Sequence, residues 1–507
     1  MPPLDHPPSP AAVPTDDAVS VREQKAAQPI YASRIKVYPK RVDGKFRRLK
    51  WAVLTFCLGL YYLAPWIRWD RGPGAPNQAL LIDLPGRRAY FFFVEIWPQE
   101  VYFLAGLMIF GAVALFLVSS LFGRLWCGYA CPQTVWTDLF MWVERLIEGD
   151  RNARMKLDKQ PWTAGKFLRK AAKHSVWLLI AAATGGAWIM YYVDAPTAVR
   201  TIFNGTATVE VYFFIGLFTT TTYLLAGWAR EQVCTYMCPW PRFQAAMFDE
   251  NTLTVTYEAW RGEPRGSHKT GDSWDGRGDC VDCRQCVAVC PTGIDIRDGQ
   301  QLECIGCGLC IDACNAVMSK VERPLGLIAF DTIEAQVARA EKRPTSYRLL
   351  RPRVLLYTAL LAVIGAIMLG AFLLRATVEL TVLRDRAPLF VTLSDGSIRN
   401  GYTVKVLEKA REARHYTLEA VGVSGATVTI SAGAETQVTD GAIEARPDAV
   451  ATYRVFVAAG RPALVAESLP LTFRLRTADG RIAAEHASVF LAPPPARTAA
   501  REEHDHD

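Results

Sequence analysis

The chain has 507 residues, half of them hydrophobic, with a net charge of +7 and thirteen cysteines. Its slightly positive mean hydropathy is high for a soluble protein and points to membrane spans diluted by polar domains. There is no phosphate-cradling glycine loop and no basic patch interleaved with aromatics, so nucleic acid is not an expected partner.

Residues 1–33, rich in Pro, Ala and Asp, have the composition of a disordered tail without the apolar core of a cleavable signal. A basic stretch from Arg34 to Lys50 leads into a first apolar segment, 51–67, bounded by tryptophans of the kind found at bilayer interfaces. Polar, Gly- and Pro-containing sequence follows to about residue 99, with an interfacial stretch at 90–97. Further spans are predicted over 101–122, 176–193, 211–228 and 354–374, each near the roughly 20 residues that a bilayer requires. Lys and Arg concentrate in 34–50, 124–173 and 229–353, so the positive-inside rule puts those segments in the cytoplasm and the C-terminus outside. The lipid bilayer is thus the first expected partner.

Between the fourth and fifth spans, in a cytoplasmic segment 241–351, the chain repeats one pattern. It reads Cys280-Val-Asp-Cys283-Arg-Gln-Cys286-Val-Ala-Val-Cys290-Pro291, then Cys304-Ile-Gly-Cys307-Gly-Leu-Cys310-Ile-Asp-Ala-Cys314. This is the bacterial ferredoxin spacing, in which the fourth cysteine of each run ligates the other cluster. The pattern predicts a two-cluster ferredoxin-like α+β domain with its core at 275–320. Cys280, Cys283, Cys286 and Cys314 are expected to hold one 4Fe-4S cluster; Cys304, Cys307, Cys310 and Cys290 hold the second. Zinc sites do not repeat this spacing, and disulfides do not suit the cytoplasm. Asn315 stands after Cys314 where the first run has Pro291, the one local departure.

Beyond the fifth span (352–375), residues 376–495 alternate apolar and polar positions over 378–383, 402–407, 416–421, 427–430, 453–457 and 471–476. Such period-two runs broken by Gly, Asp, Asn and Pro predict an all-β immunoglobulin-like sandwich, here without cysteine. The tail 496–507 ends His504-Asp-His506-Asp507, most simply a solvated segment.

The span region (34–240) contains a duplication. Glu100-Val-Tyr-Phe-Leu-Ala-Gly-Leu107 matches Glu210-Val-Tyr-Phe-Phe-Ile-Gly-Leu217, and Cys127-Gly-Tyr-Ala-Cys131-Pro132 matches Cys234-Thr-Tyr-Met-Cys238-Pro239. The simplest account is a helix pair copied in tandem. Cysteines four apart share a helix face, so the two motifs together predict a pocket of up to four thiols, with Met237 as a thioether. Soft sulfur ligands favour Cu(I), and Arg124, Arg230 and Arg242 are expected to lower the thiol pKa values. The plainer reading is small buried core cysteines. Cys57 is read as packing, and His174 and His268 as residues without a ligand role. Covalent c-type haem is excluded for want of its motif.

The twin C-x-x-x-Cys-Pro motifs after membrane spans, the two-cluster insert, the fifth span and the sandwich tail together resemble the CcoG family. Also called FixG or RdxA, these are the cytochrome c oxidase accessory proteins of bacteria. The polyferredoxin half is similar also to the quinol-linked NapH and NosR proteins. The resemblance implies a multi-pass protein of the cytoplasmic membrane, with the sandwich in the periplasm. It implies reduction of Cu(II) to Cu(I) at Cys127, Cys131, Cys234 and Cys238 during assembly of a cbb-type oxidase. Implied partners are oxidase subunits or copper chaperones and an unidentified cytoplasmic or quinol electron donor. Two other readings stay open: a quinol-linked electron carrier whose cysteine pairs hold another redox group or a disulfide, and an assembly scaffold without catalysis.

Overall fold

The computed structural model describes residues 36–72, 75–268, 273–409, 414–431, 437–438, 441–445 and 449–494. The tails expected at 1–33 and 496–507, with His504 and His506, lie outside the described residues. The chain divides into two compact units, 1–368 and 369–507.

The first unit opens with helix α1, Lys45–Leu63. Its N-cap, Gly44, makes no side-chain cap. The Asp312 carboxylate serves instead, accepting the Phe46 and Arg47 amides at 3.3 and 2.8 Å. An anion there satisfies orphan donors and complements the helix dipole, so α1 is fastened to the cysteine-rich domain at its start. Pro65 follows, and the helix ends at Leu63 rather than running to residue 67.

The stretch after it, read from sequence as a polar, Gly- and Pro-containing segment with an interfacial part at 90–97, folds as a three-stranded antiparallel sheet. Its strands are β1 Leu80–Asp83, β2 Arg88–Phe91 and β3 Val94–Ile96. Alternation explains it: Leu81 pairs with Tyr90 and both are buried, while Phe91, Phe92 and Phe93 are exposed.

Helices α2 (Tyr102–Phe122), α3 (Leu125–Tyr129), α4 (Pro132–Glu148) and α5 (Arg151–Lys159) come next. They lead to α6, Ala164–Ile189, which begins well before the predicted start at Val176. Thr163 caps it by accepting the Lys166 amide, and no proline interrupts 164–176. Helices α7 (Ala195–Phe203) and α8 (Val209–Thr222) follow, α8 passing into a π turn over Tyr223–Ala229. A second π turn, Val233–Met237, and helix α9, Trp240–Met247, complete the region.

Among the described residues, three helices are long and apolar enough to cross a membrane: Pro98–Phe122, Val209–Ala229 and Pro352–Leu373. The other two expected spans are helical as α1 and α6, but each carries lysines and arginines in its first turns.

The cysteine-rich domain is closed by two antiparallel strands, β4 Thr254–Tyr257 and β5 Ile328–Asp331. Between them lie the short helices α10 (Gln285–Ala288) and α11 (Leu309–Lys320). After helix α12 (Ile333–Ala340) comes the apolar α13, Pro352–Leu373.

The second unit is a two-sheet antiparallel sandwich. One sheet runs β11-β10-β13-β8-β6 and the other β12-β9-β14-β15. The strands are β6 Val378–Arg384, β7 Val391–Thr392 (paired to β8), β8 Ile398–Glu408, β9 Arg414–Val421 and β10 Thr427–Ser431. The rest are β11 Gln437–Val438, β12 Ala442–Ala445, β13 Ala449–Ala459, β14 Ser468–Thr477 and β15 Ile482–Leu491. All six predicted runs are strands. Inward residues Ile398, Tyr402, Val404, Val406, Phe473 and Phe490 fill the core. Buried Asn400 ties the sheets, donating to the Leu491 carbonyl at 2.8 Å and accepting the Leu491 amide at 2.9 Å.

Candidate redox and metal-binding site

The two cysteine runs adopt one backbone path. In each CxxC loop the two positions flanking the second cysteine are left-handed: Asp282 and Arg284 in the first, Gly306 and Gly308 in the second. Left-handed backbone costs about 1 kcal/mol or more for a residue with a Cβ, so glycine is the natural occupant and the first loop is the strained copy. Arg297 steadies it, holding Asp282 and Asp295 at 2.6 Å each.

This path gathers the thiols into two sets. Cys314 lies within electrostatic reach of Cys286, Cys283 and Cys280. Cys304 is reached by Cys307 and Cys290, and these three line one cavity with Cys310 and with Cys286 of the first set. Backbone amides point at the sulfurs: Gly306 at Cys304, Leu309 at Cys307, Val287 at Cys286. Without a bound cation, burial pushes Cys304 and Cys314 up to about 12 and Cys286 up to about 11. Thiols gathered in two sets, most of them buried or half-buried and with amides directed at sulfur, fit cluster ligation, since bound iron replaces the protons that burial otherwise retains. Cys283 is exposed, while Cys280, Cys286, Cys307 and Cys314 are buried. Asn315 has a structural task, its side-chain oxygen accepting the Gly326 amide at 2.9 Å.

The four membrane-side cysteines also come together, though not as helical neighbours. Cys127 sits on α3, which ends at Tyr129, and Cys131 is the residue before Pro132 begins α4. The expected shared helix face does not exist, because the proline starts a new helix there. Instead each motif closes by the same wide turn. The Cys131 amide donates to the Trp126 carbonyl at 2.9 Å, and the Cys238 amide to the Val233 carbonyl at 2.8 Å. Cys127 feels Cys131 and Cys234, and Cys234 feels Cys131 and Cys238. Cys238 and Met237 are exposed. Among the described residues, no three His, Cys, Asp or Glu side chains close on a single ion.

The predicted lowering of the thiol pKa values is corrected. Burial, with Cys131 and Cys234, pushes Cys127 up to about 12 although Arg124 opposes it. Burial, with Cys131 and Cys238, pushes Cys234 up to about 11 against Lys50. Arg230 is engaged by Glu144 at 2.6 Å, and Arg242 is exposed. Desolvation outweighs one neighbouring cation.

The two cysteine systems meet directly. Cys127 and Cys234 pack against a buried group containing Ile305, Cys307 and Leu309. Gly128 is pressed onto this loop: a Cβ there would stand 2.9 Å from the Ile305 oxygen and 3.0 Å from the Gly306 oxygen. Tyr129 donates its hydroxyl to the Cys307 carbonyl at 3.0 Å. Arg124 donates to the carbonyls of Leu302, of Cys304 at 2.9 Å and of Pro241 at 3.0 Å. The Cys127 thiol donates to the Gln244 side-chain oxygen at 3.3 Å.

Sequence reasoning missed Gly128, Tyr129 and Gln244. The tyrosine had a visible signal, since both motifs carry one, but Tyr236 is exposed where Tyr129 is buried. Cys57 is half-buried. His174 accepts or donates at 2.9 Å to the Tyr223 hydroxyl, and His268 stacks on Trp274.

Three stretches match known families. Residues 229–333 match a family described as a 4Fe-4S dicluster domain, and 104–149 one described as a 4Fe-4S binding domain. Residues 368–493 match the IG-like fold at the C-terminus of FixG, whose description names FixG as a candidate oxidoreductase. The chain is 50% identical over 482 residues to the nitrogen fixation protein FixG of Rhizobium meliloti, covering 90% of this chain and 92% of that one. It is 50% identical to the protein RdxA of Cereibacter sphaeroides, covering 80% and 87% of the two chains. It is 49% identical to RdxB of the same organism, covering 89% and 94%. An iron-sulfur chain with apolar membrane-length helices and this sandwich at its end, the protein belongs to the FixG/RdxA family.

Proposed function

We propose that this protein is a membrane-bound cupric reductase that supplies Cu(I) for assembly of a cbb-type cytochrome oxidase. The observation that carries the reading is the packing of Cys127 and Cys234 against the buried group that contains Ile305 and Cys307. Two 4Fe-4S clusters, when bound, supply single electrons. Cys280, Cys283, Cys286 and Cys314 hold the one nearer solvent, as exposed Cys283 suggests; Cys304, Cys307, Cys310 and Cys290 hold the one beside the membrane-side thiols. Copper is the substrate. Cu(II) gains one electron, and the thiols of Cys127, Cys131, Cys234 and Cys238 bind the resulting Cu(I) as they give up protons. The raised pKa values of Cys127 and Cys234 keep those two thiols protonated before copper arrives, so capture there releases protons to water. Exposed Met237 and Cys238 form the entrance.

In this reading α1, α2, α6, α8 and α13 are five spans, the clusters face the cytoplasm, and the sandwich faces the periplasm, where it docks an oxidase subunit or a copper chaperone. The donor is a cytoplasmic carrier or a quinol.

A second reading has one observation in its favour. The 4Fe-4S binding match at 104–149 spans Cys127 and Cys131, which favours another redox group at the membrane-side cysteines, fed by quinol.

Anaerobic single turnover separates the two. Protein reduced with dithionite and desalted is mixed with Cu(II), following cluster absorbance and Cu(I) capture by a chelator. The comparison is a variant with Cys127→Ser, Cys131→Ser, Cys234→Ser and Cys238→Ser. Cupric reduction requires the variant to keep its iron and lose Cu(I) capture. Loss of iron together with the four thiols supports the second reading, and identical oxidation of both proteins by copper sinks the first.

A further inference from the structure

Two cavities flank α4, and their charges differ in kind. One, of about 480 Å³, is lined by Lys166, Lys170 and Lys173. These cations are already engaged: Lys170 by Glu148 and Asp158, Lys173 by Glu144 and Glu148, and Lys166 by two backbone carbonyls. The other, of about 590 Å³, lies between α1 and α4 and is lined by Arg41, Arg47, Arg48 and Arg145 against a single carboxylate, Asp43.

The neighbouring carboxylates do not cancel this surplus. Asp138 is taken by Arg47 through two bonds of 3.0 and 2.8 Å, with Lys50 at 3.8 Å. Asp150 accepts the Arg41 amide at 3.0 Å. Asp43 makes a loose, exposed pair with Arg41 at 3.7 Å. Among the described residues, Arg48 and Arg145 make no ion pair. Arg145 is half-buried and its Nε lacks a partner; burial pushes it down to about 10, repulsion from Arg47 and Arg154 adding to the fall while Asp138 and Asp150 oppose it. An anion in the cavity relieves that repulsion.

The other walls indicate where the anion sits. Trp51 and Trp142 line the cavity, edge to face at 6.1 Å, with the Arg47 guanidinium 5.0 Å from the Trp51 ring. Trp142, Leu146 and Leu49 are exposed, and α1 goes on to present Phe56, Leu60 and Leu63 outward. Amphipathic rings beside a guanidinium cluster, at the point where an apolar helix surface begins, belong at the headgroup level of a bilayer. Guanidinium forks match phosphate oxygens.

We propose that the cleft between α1 and α4 binds the phosphate headgroup of an anionic phospholipid. The inference rests on α1 lying in the membrane and is independent of the copper chemistry.

The test uses the full chain, purified in detergent and stripped of lipid. Retention of dioleoylphosphatidylglycerol and dioleoylphosphatidylcholine is compared by native mass spectrometry. The anionic lipid is expected to be retained preferentially. Arg48→Gln is expected to weaken it about fivefold, and Arg48→Gln with Arg145→Gln about twenty-five-fold, at the usual worth of one interfacial cation each. Exposed Arg48 alone decides the matter if the double variant does not fold. Equal retention of both lipids, or unchanged retention in Arg48→Gln, overturns the proposal. So does complete displacement by inorganic phosphate at equal concentration, which marks a free-anion site. A chain that stays monodisperse without detergent also overturns it, by removing the membrane reading on which it rests.

Discussion

Replacing Gly128 by alanine tests whether the contact between the two cysteine systems matters. The new Cβ would lie 2.9 Å from the Ile305 oxygen, 3.0 Å from the Gly306 oxygen and 3.1 Å from the Cys307 Cα. All three are backbone atoms, so no side chain can swing aside and the loop itself must move by a few tenths of an ångström. Overpacking of this kind costs about 1–3 kcal/mol, against a helix-propensity gain of at most about 1 kcal/mol for losing a glycine. With the full propensity gain set against it, the net loss is about 0–2 kcal/mol. The strain falls on the segment that carries Cys304 and Cys307, which Tyr129 of the same short helix and Arg124 at its N-cap also hold. Gly128→Ala is therefore expected to lower iron content per chain on mild denaturant challenge and to slow oxidation of the reduced protein by Cu(II). Gly216→Ala is the control, because nothing lies within 4 Å of its Cβ. If both variants match the parent in iron retention and oxidation rate, the loop contact is incidental and the proposed electron path fails.

The remaining predictions concern the scaffold. Glu144 is buried, accepts from Arg230 at 2.6 Å and Arg154 at 2.8 Å, and forms an ion pair with Lys173 at 3.6 Å. Glu144→Gln leaves buried cations unmatched and is expected to cost about 3–5 kcal/mol in denaturant unfolding at neutral pH; a loss under about 1 kcal/mol contradicts the account. Burial alone would raise Glu144, but Arg230, Arg154 and Lys173 hold its carboxyl down at about 2, below the ordinary 4.5. Its folded pKa is thus depressed, so its contribution is complete above pH 4.5 and fades as the pH falls toward 2. Burial pushes Lys173 down despite its partners, so the cluster's net worth is smaller than the Glu144 shift alone implies. Stability curves over that window should be flatter in the glutamine variant. In the sandwich, Phe473 is fully buried and meets Tyr402 edge-on at 4.9 Å. Phe473→Ala is expected to cost the sandwich about 3–5 kcal/mol in calorimetry. Cluster bleaching on heating should stay where it is in the parent.

Much of this was legible in local sequence, where the physical signal is short-ranged. The cysteine spacing dictates two loops of like shape, and the matched left-handed pairs Asp282/Arg284 and Gly306/Gly308 bear that shape out. Period-two alternation found the central strands of the sandwich, because a strand half-buried in a core must alternate. Strand β15 escaped since its sequence, Ile-Ala-Ala-Glu-His-Ala-Ser-Val-Phe-Leu, holds few β-branched residues. It is held by pairing with β14 and by buried Phe490. The small sheet over 80–96 escaped because its strands are three or four residues long.

Sequence alone determined the cysteine pattern, the apolar helices, the sandwich and the duplication, all of which depend on residues near one another in the chain. Tertiary structure decided the rest. Arg124 reaches Cys304, Tyr129 reaches Cys307 and the α1 amides reach Asp312 across more than 170 residues each, and no local pattern records such pairings. Burial is likewise a property of the assembled fold. It sets the protonation of Cys127 and Cys234 against the arginine beside them in the sequence, because desolvating a thiolate costs more than one nearby cation returns.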